Sequence, residues 1–274
     1  MEVAQGNAEM MQRILAIAEN TFRETVRDKI LYNLILFALI MIFSSLALGQ
    51  LTLGNENKVI LNLGLAAISI FGTMIAIFIG TGLVYKEIEK RTVYALLAKP
   101  VRRAELIVGK YFGLVFTLLV NLLIMTAGLM LALLYAGTAD PWSYARILPA
   151  VFMIFLSLCL VTALALFFST FSTPVLSVLF TLFLWIIGHF GNDLKNFGEL
   201  TKTASAEWLC GVLYYVIPNF SNFQMIDGRY VLQSAGYTQA VNPLAVAGVV
   251  FYLIVYAALI LSLGVVIFRR RDFK

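Results

Sequence analysis

Three observations predict an all-α polytopic membrane protein with six transmembrane helices. Hydrophobic residues make up 61% of the 274-residue chain and charged residues only 13%, against about 25% charged in a soluble domain. The apolar residues gather into runs of about 18–27 residues, enough to cross a hydrocarbon core of about 30 Å at 1.5 Å per residue. Finally, the segment Lys86–Lys110, KEIEKRTVYALLAKPVRRAELIVGK, puts seven basic and three acidic residues between two such runs. Charges at that density must sit in water on one face of the membrane.

The first element is a helix over residues 10–30. Met11, Leu15, Ala18, Phe22, Val26 and Ile30 recur at steps of three and four and share one face; Arg13, Glu19, Arg23, Arg27 and Asp28 cover the other. Two readings fit this pattern: a solvated lead-in helix, or an amphipathic helix in the headgroup plane that runs directly into a span. Together these residues form an N-terminal segment, 1–30, ahead of the membrane domain.

Spans follow at roughly 31–49, 60–85, 110–136, 147–169, 174–191 and 244–268. After the second span a helix is predicted from about Lys86 to Ala98, broken at Lys99–Pro100. A second helix then opens on Pro100, where a missing N–H costs nothing. The result is a water-facing hairpin over 86–105. Ile88, Leu96 and Leu97 can anchor it, and Glu87, Glu89, Lys90, Arg91, Arg102 and Arg103 remain for a partner. The polar turn Ser169–Pro174, STFSTP, divides the fourth span from the fifth. Between the last two spans lies the loop 192–243, which contains the ten-residue apolar run Trp208–Ile217, WLCGVLYYVI. Ten residues cannot cross a bilayer, so the run is either a re-entrant or interfacial helix or an external lid packed on the span ends.

Lysine and arginine set the orientation. With the N-terminus, the hairpin and the C-terminal RRRDFK in the cytoplasm, these regions hold 15 of the 20 basic residues. The other side keeps Lys58, Arg146, Lys195, Lys202 and Arg229. The positive-inside rule then puts both termini in the cytoplasm, and an even number of spans agrees. No cleavable signal is apparent, since the first apolar run starts only near residue 30.

The same residues exclude several functions. The isoelectric point near 9.2 reflects basic residues at span ends, not a groove for nucleic acid. There is no G-x-x-x-x-G-K-[ST] loop to cradle nucleotide phosphates. No span carries Asp, Glu or Arg near its middle, as ion-coupled carriers usually need. Cys159 and Cys210 form neither a disulfide framework nor a zinc spacing. His189, the one histidine, stands near the outer end of the fifth span with Asp193 a turn later; the pair is either a cation or proton site or a set of interfacial hydrogen-bonding groups. Gly72, Ala76 and Gly80 form a small-xxx-small series on the second span, inviting a close helix approach from the same subunit or from a second copy. No catalytic residue, metal or bound cofactor is expected.

At the hairpin the sequence resembles the permease subunit of an ABC-2-type ABC transporter. Glu87, Glu89, Thr92, Leu96, Leu97, Pro100, Val101, Arg103, Gly109 and Lys110 fall on the matching motif positions. The external IPNFSNF, Ile217–Phe223, resembles the branch associated with multicopper-enzyme maturation and nitrous oxide reductase assembly. Arg91 departs from the pattern, standing where a glycine is usual before the threonine, so the first arm of the hairpin can run straighter.

The resemblance covers the six-span plan over the whole chain and implies a single permease domain, 1–274. It implies an exporter of the cytoplasmic membrane, working as a homodimer or a pair of similar subunits. Each would dock on a separate cytoplasmic ATPase that holds the ATP and magnesium. In that reading Glu87, Glu89, Arg91, Thr92, Leu96, Leu97, Pro100 and Arg103 serve ATPase coupling. The N-terminal helix becomes a membrane-surface elbow, and the second and fifth spans line the path. The alternatives are a secondary carrier or channel, or a structural membrane subunit of a complex. A carrier should show internal repeats and interrupted, charge-bearing spans, and the sequence shows neither.

Overall fold

The computed structural model describes residues 2–51, 56–89, 103–137, 141–191, 204–223, 225–226, 229–230 and 243–270. Among them the α-helices, in chain order, are α1 (Glu2–Val26), α2 (Lys29–Gln50), α3 (Glu56–Glu89), α4 (Arg103–Tyr135), α5 (Pro141–Ser169), α6 (Pro174–His189), α7 (Ala204–Val216) and α8 (Pro243–Arg270). A 3-10 turn at Phe220–Phe223 precedes a two-residue antiparallel ladder, β1 (Met225–Ile226) with β2 (Arg229–Tyr230). In its register Met225 faces Tyr230 and Ile226 faces Arg229.

The lead-in helix ends earlier than its apolar spacing predicts. Asp28 has extended backbone, φ −77 and ψ 125, and its carboxylate accepts the Ile30 N–H as the N-cap of α2. An acidic N-cap satisfies an orphan donor of the new helix and so favours a restart there. Ile30 therefore belongs to α2 and not to the α1 face. That face is also divided. Ile17, Ala18, Thr21 and Thr25 turn towards the protein, with both threonines buried, whereas Met11 and Leu15 are exposed. Arg13 pairs with Glu9 and Arg23 with Glu19 along the polar side.

Five of the helices are long and apolar enough to cross a membrane: Lys29–Gln50, Glu56–Gly82, Arg103–Tyr135, Ile147–Ser169 and Leu244–Phe268. The fifth span predicted from sequence, 174–191, is a 16-residue apolar helix, α6. At 1.5 Å per residue it is about 24 Å long, short of a typical hydrocarbon core. It opens where the polar turn predicts. Ser169 and Thr170 return their hydroxyls to Leu166 O and Phe167 O, and Pro174 then occupies the first turn of α6. The proline leaves that turn without a wasted donor.

At the centre stands α5, whose residues from Leu158 to Leu166 are all buried. It packs on α3, α4, α6 and α8. A helix apolar on every side has no face to offer water, so it takes the middle of the bundle. Buried hydroxyls in these spans are satisfied within their own helix: Thr117 to Gly113 O at 2.9 Å, Thr126 to Leu122 O at 2.7 Å and Thr162 to Leu158 O at 2.8 Å. Hydrocarbon offers no partner, so such back-bonding is what makes threonine tolerable there. Outward faces are apolar instead, as with Phe37, Ile40 and Met41 of α2 and Phe251, Leu259 and Leu263 of α8.

Candidate functional site

The start of α4, the element that leaves the charged segment, is gripped from two sides. On one side lies α1. A Cβ at Gly109 would stand 2.7 Å from the Ile17 side chain, and one at Gly113 would stand 2.6 Å from Ala18 O. Real Cβ atoms do not approach that closely, so only glycine lets the α1 backbone lie against α4 here. Phe22 and Phe116 close the contact edge to face, with centroids 4.8 Å apart. On the other side is the end of α8. Arg103 donates from Nη1 to Phe268 O at 2.7 Å, and its guanidinium carbon lies 5.8 Å from the centre of the Phe268 ring. Leu106, Ile107 and Phe268 form a buried cluster beneath this contact.

A charged hydrogen bond to a terminal carbonyl satisfies one of the orphan acceptors of a helix end. It also joins α4 to α8 at the level where α4 emerges. Glu105 and Lys110, both buried, stand in the same first turns of α4. The start of α4 is thus joined to both α1 and α8.

Of the residues predicted to serve coupling, Glu87 and Glu89 stand in the last turn of α3 and Arg103 opens α4. Arg103 donates within the chain to Phe268 O. Arg91, Thr92, Leu96, Leu97 and Pro100 lie outside the described residues, so the hairpin and its break at Lys99–Pro100 do too. Sequence reasoning missed Gly113, Ile17 and Phe268. The signal for the first was present, because Gly109-Lys110-Tyr111-Phe112-Gly113 is itself a small-xxx-small spacing. Nothing local marks Phe268, whose role depends on where α8 ends in space.

The series on α3 meets α5 of the same chain. A Cβ at Gly72 would come 2.9 Å from Leu158, one at Gly80 would come 2.8 Å from Ala165, and Ala76 between them is buried. Of the two partners the sequence leaves open for this face, the one found there is in the same subunit.

His189 is packed, with Nδ1 2.7 Å from Trp185 O. A carbonyl can only accept, so Nδ1 carries the proton. The ring stacks on Phe220 at 5.6 Å and 7°, and Ser221 donates its hydroxyl to His189 O. Phe220 is fully buried, and a Cβ at Gly188 would collide with its ring and with Pro218 O. The Asn219 N–H donates to the Tyr252 hydroxyl at 2.9 Å, and Tyr256 donates to Val216 O. The IPNFSNF stretch is thus docked on the ends of α6 and α8. Asp193 lies outside the described residues. Among the described residues no group of three or more His, Cys, Asp or Glu side chains could hold a metal.

A scan against protein families matches residues 15–273 to the family described as ABC-2 family transporter protein. The chain belongs to the ABC-2 transporter family. It is accordingly a multi-pass membrane protein and an ABC permease, a type of subunit that works with a partner ATPase. A search of the curated proteins returned no match to this permease.

Proposed function

We propose that this ABC-2 protein is the membrane-spanning subunit of an ATP-driven exporter of the cytoplasmic membrane, with both termini in the cytoplasm and six crossings. The short helix α6 makes the fifth crossing. ATP and magnesium are held by a separate ATPase, and residues 86–105 dock on it. The carrying observation is the double grip on α4. Force applied to 90–102 enters a helix already joined to α1 through Gly109 and Gly113 and to α8 through Arg103. Exposed Met11 and Leu15 suit α1 to the headgroup plane, as an elbow that follows α4.

A second copy completes the transporter. Ile70, Met74 and Phe78 form an exposed apolar stripe at steps of four on α3, beside Leu179 and Phe183 exposed on α6. This face is what a homodimer buries, and the path runs between the two copies.

Docking is tested by Glu87→Arg combined with Glu89→Arg and, separately, by Leu96→Ala with Leu97→Ala. Exposed ion pairs contribute only about 0.2–1 kcal/mol each, whereas desolvated anchors dominate an interface. The leucine pair should therefore weaken co-purification of the ATPase more than either single glutamate reversal, and the double reversal should uncouple ATP hydrolysis from transport while leaving membrane insertion intact. A double reversal that binds its ATPase and transports normally would reduce the segment to a topology signal.

A further inference from the structure

Beyond the transport reading, and independent of it, a cavity of about 730 Å³ opens between α4, α5 and α8. Its walls run from Ala104 to Val115 on α4 and from Leu253 to Val266 on α8, with Leu156 and Cys159 of α5 at the back. At 1.5 Å per residue the two wall stretches are about 17 and 20 Å long. Phe112 and Ile254 belong to the wall and are also exposed, so the cavity opens sideways on the outer face of the bundle. Leu156 and Cys159, each only 5% exposed, mark its depth. The hydroxyls of the wall are spent on the chain itself: Tyr111 donates to Cys159 O at 3.3 Å and Ser262 to Ala258 O at 2.6 Å. The Cys159 thiol is at most a weak donor.

Neither water nor a helix suits this space. A water held in a cavity needs about two to four polar partners, and the hydroxyls of this wall are already engaged. A span from a second copy is about 10–12 Å across with its side chains, so over the shorter wall it would fill roughly 1,300 Å³. That is nearly twice the room available, and such a helix could lie across the mouth but not occupy what is behind it. A hydrocarbon chain is narrow enough to enter and needs no hydrogen-bond partner. It also restores the dispersion contacts that an empty cavity forfeits. Its source stands at the opening, because the outer face of a spanning bundle is bathed in lipid tails. We propose that an acyl chain of a bilayer phospholipid is a resident ligand of this subunit, seated between α4, α5 and α8 and held by its hydrocarbon alone, whatever headgroup it carries.

The test is photocrosslinking of the full chain in dioleoyl-phosphatidylcholine vesicles that carry a trace of phosphatidylcholine with a diazirine midway along one acyl chain. Peptide mass spectrometry should find the label on Leu156 and Cys159 at the back of the cavity. It should also find it on Phe37 and Ile40, which are exposed on α2 and meet any surrounding lipid. Ala258→Trp, which fills the cavity, should abolish the label on Leu156 and Cys159 and leave that on α2 unchanged; Ser262→Phe serves if that variant does not fold. Leu259→Trp, exposed but outside the wall, should change neither. A probe with the same chain under a phosphatidylglycerol headgroup should give the same pattern. Label confined to the exposed residues, label on Leu156 and Cys159 that survives both filling variants, or label from only one of the two headgroups would each overturn the proposal. So would a back wall labelled in the monomer and protected in a dimer, which would mean that a second copy covers the opening.

Discussion

At the scale of single residues, this permease uses glycine where two helix backbones must nearly touch. Gly113 is the most constrained of the α1–α4 contact, because the obstacle to a side chain is the Ala18 carbonyl and not a movable side-chain tip. Gly113→Leu should therefore destabilise the protein by about 3 kcal/mol, the upper part of the usual overpacking range. Gly248 has open space around its Cβ position, so Gly248→Leu should be neutral or gain up to about 0.8 kcal/mol from helix propensity. Thermal unfolding in detergent distinguishes them: a large drop for the first and none for the second. Equal midpoints would mean that α1 can leave α4 without cost, and the grip on α4 would lose one of its two arms. Arg103 illustrates a different lesson. Its charge reads from sequence as a docking group, yet it closes a helix end from within the same chain.

Among helices, what matters is which face meets which neighbour. The Gly72–Ala76–Gly80 face of α3 is spent on α5, so the second copy proposed above is expected to dock elsewhere. Ala76→Leu should cost about 1–3 kcal/mol of stability without changing the dimer fraction of the protein that remains folded. Phe78→Ala, on the exposed stripe of the same helix, should do the reverse and lower the dimer fraction with little effect on the midpoint. Size-exclusion chromatography with light scattering, run beside thermal unfolding, separates the two quantities. If Ala76→Leu dissociates the dimer and Phe78→Ala does not, the assembly face has been assigned to the wrong side of α3. The same division runs along α1. Its protein side is made of Ile17, Ala18, Thr21 and Thr25, and Met11 and Leu15 look outward, as an interfacial helix requires.

For the whole molecule the prediction concerns orientation, which rests on the distribution of 20 basic residues. In a background without Cys159 and Cys210, a cysteine at Ser205 should react with an impermeant thiol reagent added outside intact cells. One at Ala98 should react only after the membrane is opened. The opposite pattern would invert the protein and place the 90–102 segment away from any cytoplasmic ATPase.

Much of this architecture is a one-dimensional property of the chain. Bilayer depth converts directly into a run of apolar residues, so the positions of five spans follow from sequence, as does the break at Ser169–Pro174. The family resemblance at Glu87–Lys110 is equally a matter of residue order. Tertiary structure alone decided the rest. A small-xxx-small stripe states only that a helix can approach, and two such stripes, on α3 and on α4, turned out to receive different partners, α5 and α1. Apolar spacing on α1 likewise could not say which part of a wide apolar arc meets protein and which meets lipid. The contact between Arg103 and Phe268 joins residues 165 positions apart, and no local pattern encodes it. Periodicity sets which residues share a face; packing sets what that face touches, because it depends on where every other helix has already been placed.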